Sequence, residues 1–576
     1  VLTHIIWLLT PLSKFSNMKN LLPILLILIA FGCKKQEYDV VIRGGTVYDG
    51  SGKPGVNADV AINSDTVAFI GDLSEAIGKT EIDAKGLAVA PGFINMLSHS
   101  WETLILDGRG QSDIRQGITL EVLGEISIAP MSDQMKKESL ESMKKYPDFT
   151  YPIEWTTLGE YLEYLERKGV SQNIASFVGA NTIRVNQLGY ANRAPSPEEL
   201  ERMKGLVKQA MEEGALGVTT ALIYAPGNYA TTEELIALSK AAAPYGGMYI
   251  AHMRSEGNNI FAAVDETIRI AREGGLPAEI YHLKMAGKDN WWKLDSVMAK
   301  IDRANKSGLR ITANMYTYTA GATGLDATMP PWVQEGGINE WIKRLKDRTI
   351  RRQVLKEMRT PTDKWENMLR TCGGPENVLF LGFSKDSLQM YVGRTLAEVA
   401  TAHGKSPEET VMDLVIADRT RVETAYFMMS EENIKRQIAL PYLSFGSDAG
   451  SPPAEGFWLK YKEHPRAYGN FSRVIGKYVR DEKVIPLQEA IRKLTSLPAR
   501  NINIKKRGTL TPGYYADVVI FDPAAVQDHA TFENPHQYST GMVHVFVNGT
   551  QVIKDGEHTN ARPGKVVRGP GWVGWK

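Results

Sequence analysis

Two histidines close two apolar runs in the same way. His252 ends Met248-Tyr249-Ile250-Ala251-His252, and His282 ends Ala278-Glu279-Ile280-Tyr281-His282. One amphipathic helical pattern, from about Asn259 to Arg272, lies between them. The two runs therefore read as neighbouring parallel strands joined by a crossover helix. Both imidazoles then emerge at the same rim of a barrel, where barrel enzymes carry their chemistry. Neutral imidazole is the commonest protein ligand for zinc. Two acidic residues hold equivalent places, Glu125 after Thr119-Leu120-Glu121-Val122-Leu123-Gly124 and Asp448 after Leu443-Ser444-Phe445-Gly446-Ser447. Two imidazoles with two carboxylates at four strand ends make a hydrolytic metal centre the leading expectation.

Each residue also has a plainer reading. A lone buried histidine is usually a satisfied core residue, but two at equivalent strand ends favour ligation. Glu125 fits either a ligand or an acceptor behind one. Asp448 fits either a proton carrier or a helix cap. His99, which follows Asn95-Met96-Leu97-Ser98, fits a weak metal ligand, a substrate contact or a remnant. Lys284 stands one full alternation beyond His282, on the same strand face, and so reaches the same pocket. Arg466 follows the last of these strands beside a Pro-containing loop, and an arginine fork suits a carboxylate.

Such a set needs a scaffold of strands with aligned ends. Eight candidate parallel strands are Leu87–Asn95, Thr119–Glu125, Asn173–Ala180, Gly217–Leu222, Met248–Met253, Ala278–Leu283, Arg310–Tyr316 and Tyr442–Asp448. Several are near-continuous apolar runs, as strands covered on both faces should be. With helical patterns between them they predict an α/β fold, a (β/α)8 TIM barrel over about 89–500. The stretch from Tyr316 to Tyr442 is far too long for a βα loop, so an inserted lid subdomain is expected at about 321–410. Short β-rich segments at 38–88 and 501–576 predict a small β-sandwich domain built from both chain ends.

Composition narrows the function classes. A hydrophobic fraction of 43% with 23% charged residues is ordinary for a globular protein. A net charge of +1 without a basic stripe argues against nucleic acid as partner. Two cysteines, Cys33 and Cys372, with Cys33 in the leader, rule out a disulfide framework. Residues 1–37 read as an upstream extension and a leader. Met18-Lys19-Asn20 precedes the apolar run Leu21–Phe31, which is too short for a comfortable membrane span, and Gly32-Cys33 follows. The expectation is export to the cell envelope or periplasm with lipid on Cys33, a plain secretory leader being the alternative.

In several motifs the chain resembles the N-acyl-D-amino-acid deacylase (D-aminoacylase) branch of the amidohydrolase superfamily. They are Val41-Ile42-Arg43-Gly44-Gly45-Thr46-Val47-Tyr48-Asp49-Gly50, Ala90-Pro91-Gly92-Phe93-Ile94-Asn95, Leu222-Ile223-Tyr224-Ala225-Pro226-Gly227, His252-Met253-Arg254-Ser255-Glu256-Gly257, Phe445-Gly446-Ser447-Asp448 and His464-Pro465-Arg466. Each is weak alone; their order from about Tyr38 to Gly569 is specific. The resemblance implies that His252 and His282 ligate zinc, that Asp448 is catalytic, and that Arg466, Lys284, Tyr224 and Tyr316 hold the free carboxylate of a small N-acyl amino acid. Three departures stand out. Leu97 replaces the first histidine of the family's His-x-His, leaving His99 alone. Glu125 occupies the region of the family's cysteine ligand, and a carboxylate is chemically adequate there. A family serine falls on Ala322.

The expected reaction is hydrolysis of an N-acyl amide, with one tightly held zinc on Glu125, His252 and His282 and a second, weak site at His99 left open. A dipeptidase or cyclic-amide hydrolase of the same superfamily is an alternative; so is a surface binding protein that has lost catalysis, to which Leu97 and Asn95 would point. The oligomeric state stays open.

Overall fold

The structure, a computed structural model, describes residues 35–144 and 147–575. The expected leader features, Met18, Leu21–Phe31 and Cys33, lie outside the described residues.

Eight parallel strands form the centre: Phe93–Ser98, Ile118–Leu123, Asn173–Ser176 continued by Val178–Gly179, Gly217–Ala221, Met248–His252, Ala278–Ile280, Ile311–Met315 and Leu443–Phe445. Each pairs in parallel with the next. The last strand closes on the first, where Asp448 N–H donates to the Leu97 carbonyl and His99 N–H to the Ala449 carbonyl, both at 2.9 Å. The result is a closed barrel. Ile94, Met96, Leu120, Val122, Phe177, Met248 and Ile250 belong to one buried cluster. The outer wall packs on helices in the largest core. Burial on both faces explains the apolar runs, each Ile or Val adding roughly 1.5–3 kcal/mol when fully covered.

The helix Ile260–Gly274 sets the spacing of the two histidine strands. Ile260, Ala263, Val264, Thr267, Ile268 and Ala271 are buried along one side, and the helix stops at Gly275, whose φ is 72°.

The expected first barrel strand, Leu87–Asn95, is in fact two. Ala88–Pro91 pairs antiparallel with Val518–Phe521 in the β domain, and only Phe93–Ser98 enters the barrel. The break falls at Gly92, where a Cβ would lie 2.0 Å from Thr119 Oγ1. Segments from both chain ends are hydrogen-bonded in one nine-stranded sheet. Val40 and Ile42 of its first strand enter one core, and Val41 enters another, as strand alternation requires.

Between the seventh and eighth barrel strands, Ala320–Gly324, Glu423–Phe427 and Val378–Gly382 form an antiparallel sheet with Glu423–Phe427 in the middle. The inserted subdomain therefore runs past the expected limit near 410, because its central strand lies beyond it.

Candidate metal centre

Three of the expected site residues sit on backbone that side-chain-bearing residues rarely adopt. Glu125, His282 and Asp448 have φ of 62°, 32° and 53°. Each is held from outside. Glu125 N–H donates to Tyr281 Oη at 3.4 Å, and His282 N–H donates to Asn314 Oδ1 at 2.9 Å. Asp448 N–H is bound in the barrel seam, as above. Strain gathered at strand ends and held by neighbours is typical of functional positions.

The side chains converge on Glu125. Its Oε1 lies 2.9 Å from His252 Nδ1 and 2.6 Å from His282 Nε2. All three residues are buried, with the imidazole centres 4.4 Å apart. Its Oε2 faces a second group: His99 Nε2 is 3.5 Å from Glu125 Oε2 and 3.5 Å from Asp448 Oδ1. His99 keeps 26% of its side chain exposed. Glu125 thus belongs to two clusters of ligand atoms.

Glu256 stands behind the histidines. Its Oε1 is 2.8 Å from His282 Nδ1 and 2.6 Å from Lys284 Nζ, and its Oε2 is 3.8 Å from His252 Nε2. With its Nδ1 proton held by Glu256, the His282 Nε2 proton, which faces Glu125, is the one an incoming metal ion would displace. Burial alone would raise both carboxylates. Instead Lys284 and the two histidines hold Glu256 well below the usual range, and His252, His282 and His99 do the same for Glu125. Burial and Lys284 oppose charge on His282, yet Glu256, Asp448 and Glu125 outweigh them and lift it to about 9. Sequence reasoning assigned Glu256 no role. The available signal was an acid four residues after His252 and a lysine two after His282, opposite charges at neighbouring strand ends.

The expected carboxylate-binding residues gather on one side of this centre. Arg466 lies 4.6 Å and Lys284 5.5 Å from the Tyr316 ring, which is 6.4 Å from His282. Tyr316 Oη and Arg466 Nε are buried without hydrogen-bond partners among the described residues. Neither cation is bare, however: Arg466 Nη1 is 2.6 Å from Asp448 Oδ2, and Lys284 is held by Glu256. Tyr224 is half-buried on the His252 side, its ring 5.3 Å away, with Arg421 4.8 Å from its centre. Ala322 lies in the inserted strand opposite Ala425 and offers no side-chain donor. His464, another residue without an assigned role, donates from Nε2 to the Ala320 carbonyl at 2.9 Å and accepts Arg466 N–H at Nδ1 at 3.0 Å. It ties the inserted strand to the turn that aims Arg466. Burial and Arg466 keep it neutral.

Residues 80–553 match the amidohydrolase family. The chain belongs to that family. Among amidohydrolase relatives, the D-aminoacylase of Alcaligenes xylosoxydans xylosoxydans is 34% identical over 534 residues, 92% of this chain and 98% of its own. A solved N-acyl-D-glutamate deacylase from Bordetella bronchiseptica, complexed with zinc and a phosphonate mimic of the tetrahedral intermediate, is 28% identical with a TM-score of 0.77, covering 92% of this chain and all of that one. A D-aminoacylase structure at 32% identity and the same TM-score and coverage concerns a binuclear metal centre with one-metal activation and second-metal attenuation.

The donor set of this amidohydrolase fits zinc. Two imidazole nitrogens and a carboxylate oxygen are what a catalytic zinc site uses. His99 Nε2, buried without a hydrogen-bond partner among the described residues, faces the second cluster. Leu97 is wholly buried and contributes no ligand atom. Asn95 is bonded instead to Asp113, Glu121 and Ser447, so it serves the barrel seam next to Asp448.

Proposed function

We propose that this protein is a zinc-dependent hydrolase that cleaves the amide bond of N-acyl-D-amino acids, giving a carboxylate and a free amino acid. The observation that carries the reading is the buried convergence of His252 and His282 on Glu125 at the barrel rim, beside Asp448 and an Arg466–Tyr316–Lys284 corner. The D configuration and the N-acyl substrate are supported by the named activities of the relatives.

Glu125, His252 and His282 would hold the ion, which when bound polarises an acyl carbonyl and lowers the pKa of a water towards ~7. Asp448 takes a proton from the attacking water and delivers it to the leaving nitrogen, which cannot depart as an amide anion. Arg466 holds Asp448 Oδ2, leaving Oδ1 turned towards Glu125 and His99. The Arg466 Nε–H and the Tyr316 hydroxyl are the groups placed to bind the substrate's carboxylate, and fixing that end orients the scissile bond. Lys284 adds positive charge while it keeps Glu256 ionised behind His282.

Metal analysis joined to a hydrolysis screen of N-acetyl D- and L-amino acids, dipeptides and cyclic amides tests the proposal. Release of D-amino acids by the zinc-loaded chain, with little from L isomers or cyclic amides, is expected. Preferred turnover of dipeptides or cyclic amides would replace the reading with another superfamily activity, and no turnover would favour a binding protein. We also propose envelope anchoring through lipid on Cys33, supported by the Leu21–Phe31 run before Gly32-Cys33. Mass spectrometry of the mature N-terminus tests it, and an unmodified Cys33 would contradict it.

A further inference from the structure

We infer that Glu366, a carboxylate of the inserted subdomain, is a positioning residue for the metal centre. It holds the loop that carries Glu256, and acts through Glu256 on His282 and His252. The inference rests on the reading of Glu125, His252 and His282 as zinc ligands.

Glu366 reaches from the inserted subdomain to the loop that follows the His252 strand. Its Oε1 accepts Ser255 Oγ at 2.9 Å and Gly257 N–H at 2.6 Å, and its Oε2 accepts Glu256 N–H at 3.0 Å. One side chain thus takes donors from three successive residues. A Cβ at position 257 would lie 2.5 Å from Glu366 Oε1, so the approach needs glycine there. The loop's carbonyls are taken from elsewhere: Lys293 Nζ donates to Gly257 O at 3.2 Å and to Asn258 O at 2.8 Å. Ser255 Oγ closes the turn by accepting Gly257 N–H and Asn259 N–H. The backbone of Glu256 is therefore fixed at its N–H by Glu366 and at its carbonyl by Ala286 N–H, 2.8 Å away. Its carboxylate has one working position, against His282 Nδ1 and Lys284. Burial and the nearby Glu256 charge make a carboxylate at 366 costly, which is offset by the hydrogen bonds it receives. An apolar residue would fill the space more cheaply if filling it were the only requirement.

The test uses the full chain with Glu366→Ala and Glu366→Gln. Gln keeps the shape and one acceptor oxygen but turns an amide N–H2 towards a loop N–H. Zinc Kd is measured by competition with a chromophoric chelator, with thermal midpoint, kcat and KM alongside. Partners that orient metal ligands typically contribute 10–100-fold in metal affinity. Glu366→Ala should weaken zinc by about that factor, and Glu366→Gln by less. The double variant Glu256→Gln/Glu366→Ala should bind zinc about as Glu256→Gln does, because both changes act on one contact. A merely structural latch would lower the thermal midpoint and leave zinc Kd within about twofold of wild type; that result, or fully additive losses, would overturn the inference. If Glu366→Ala does not fold, the Gln variant alone decides by the same criterion. A wild-type chain that binds no zinc would bring down the ligand assignment itself, and the inference with it.

Discussion

On one side of Glu125 lie His252 and His282, both buried, with contacts of 2.9 and 2.6 Å and a carboxylate behind them. On the other side lies His99, 3.5 Å from Glu125 and 3.5 Å from Asp448, with His99 partly open to solvent and Asp448 already engaged by Arg466. The first cluster has two imidazoles: Glu256 fixes His282 through Nδ1 at 2.8 Å and lies 3.8 Å from His252 Nε2. The second has one imidazole, unpartnered at Nε2, and it lacks a further histidine because position 97 is leucine. Metal affinity follows the number of good donors and how firmly they are held. On the proposed reading, the first cluster retains the ion, and the second moves a proton and orients the substrate.

The largest effect that would break this comparison is His252→Ala. It should strip zinc and activity together, a loss of several kcal/mol in transition-state stabilisation, at least on the order of 10³-fold in kcat; retained zinc in that variant would shift the strong site to the other cluster. Asp448→Asn comes next. It keeps the shape, removes the proton carrier, and should lower kcat by about 10²–10⁴-fold while zinc content stays near one equivalent. Loss of the metal would recast Asp448 as an essential ligand.

Arg466→Ala should cost about ten- to a hundredfold in kcat/KM on free acids, the usual worth of a charged hydrogen bond. Amidated substrates, already poor for the wild type, should lose much less. Equal losses on both would mean that Arg466 serves only Asp448. The smallest effect sharpens the contrast instead. Leu97→His adds an imidazole beside the second cluster, and a second zinc should then bind at least about tenfold more tightly than in the wild type, read by calorimetry. An unchanged second site would show that Leu97 is not what weakens it.

Much of this centre was legible in the sequence because strand ends are local. A run such as Met248–His252 announces both its burial and the residue at its rim, and the helix between His252 and His282 fixes their relation. The same locality explains what was missed. Glu256 and Glu366 act through loops that meet only in three dimensions, and nothing near Glu366 in sequence marks it. Leu87–Asn95 looked like one strand since apolar runs do not reveal a change of sheet; Pro91-Gly92 was the punctuation that marks it. The inserted subdomain seemed to end near 410 because Glu423–Phe427 earns its place by pairing with two distant strands. The sequence expects Lys284 and Arg466 to hold a substrate carboxylate; the carboxylates of Glu256 and Asp448, which pair with them, come from distant strand ends and loops.

The central claim is that one zinc, on Glu125, His252 and His282, suffices for hydrolysis. Titrating metal-free protein with zinc, while following heat and release of a free D-amino acid from the same sample, tests it most directly. Activity should rise to its plateau at one equivalent, with any second binding event weaker and adding nothing. Activity that appears only with the second equivalent, or hydrolysis that persists with no metal bound, would contradict the account.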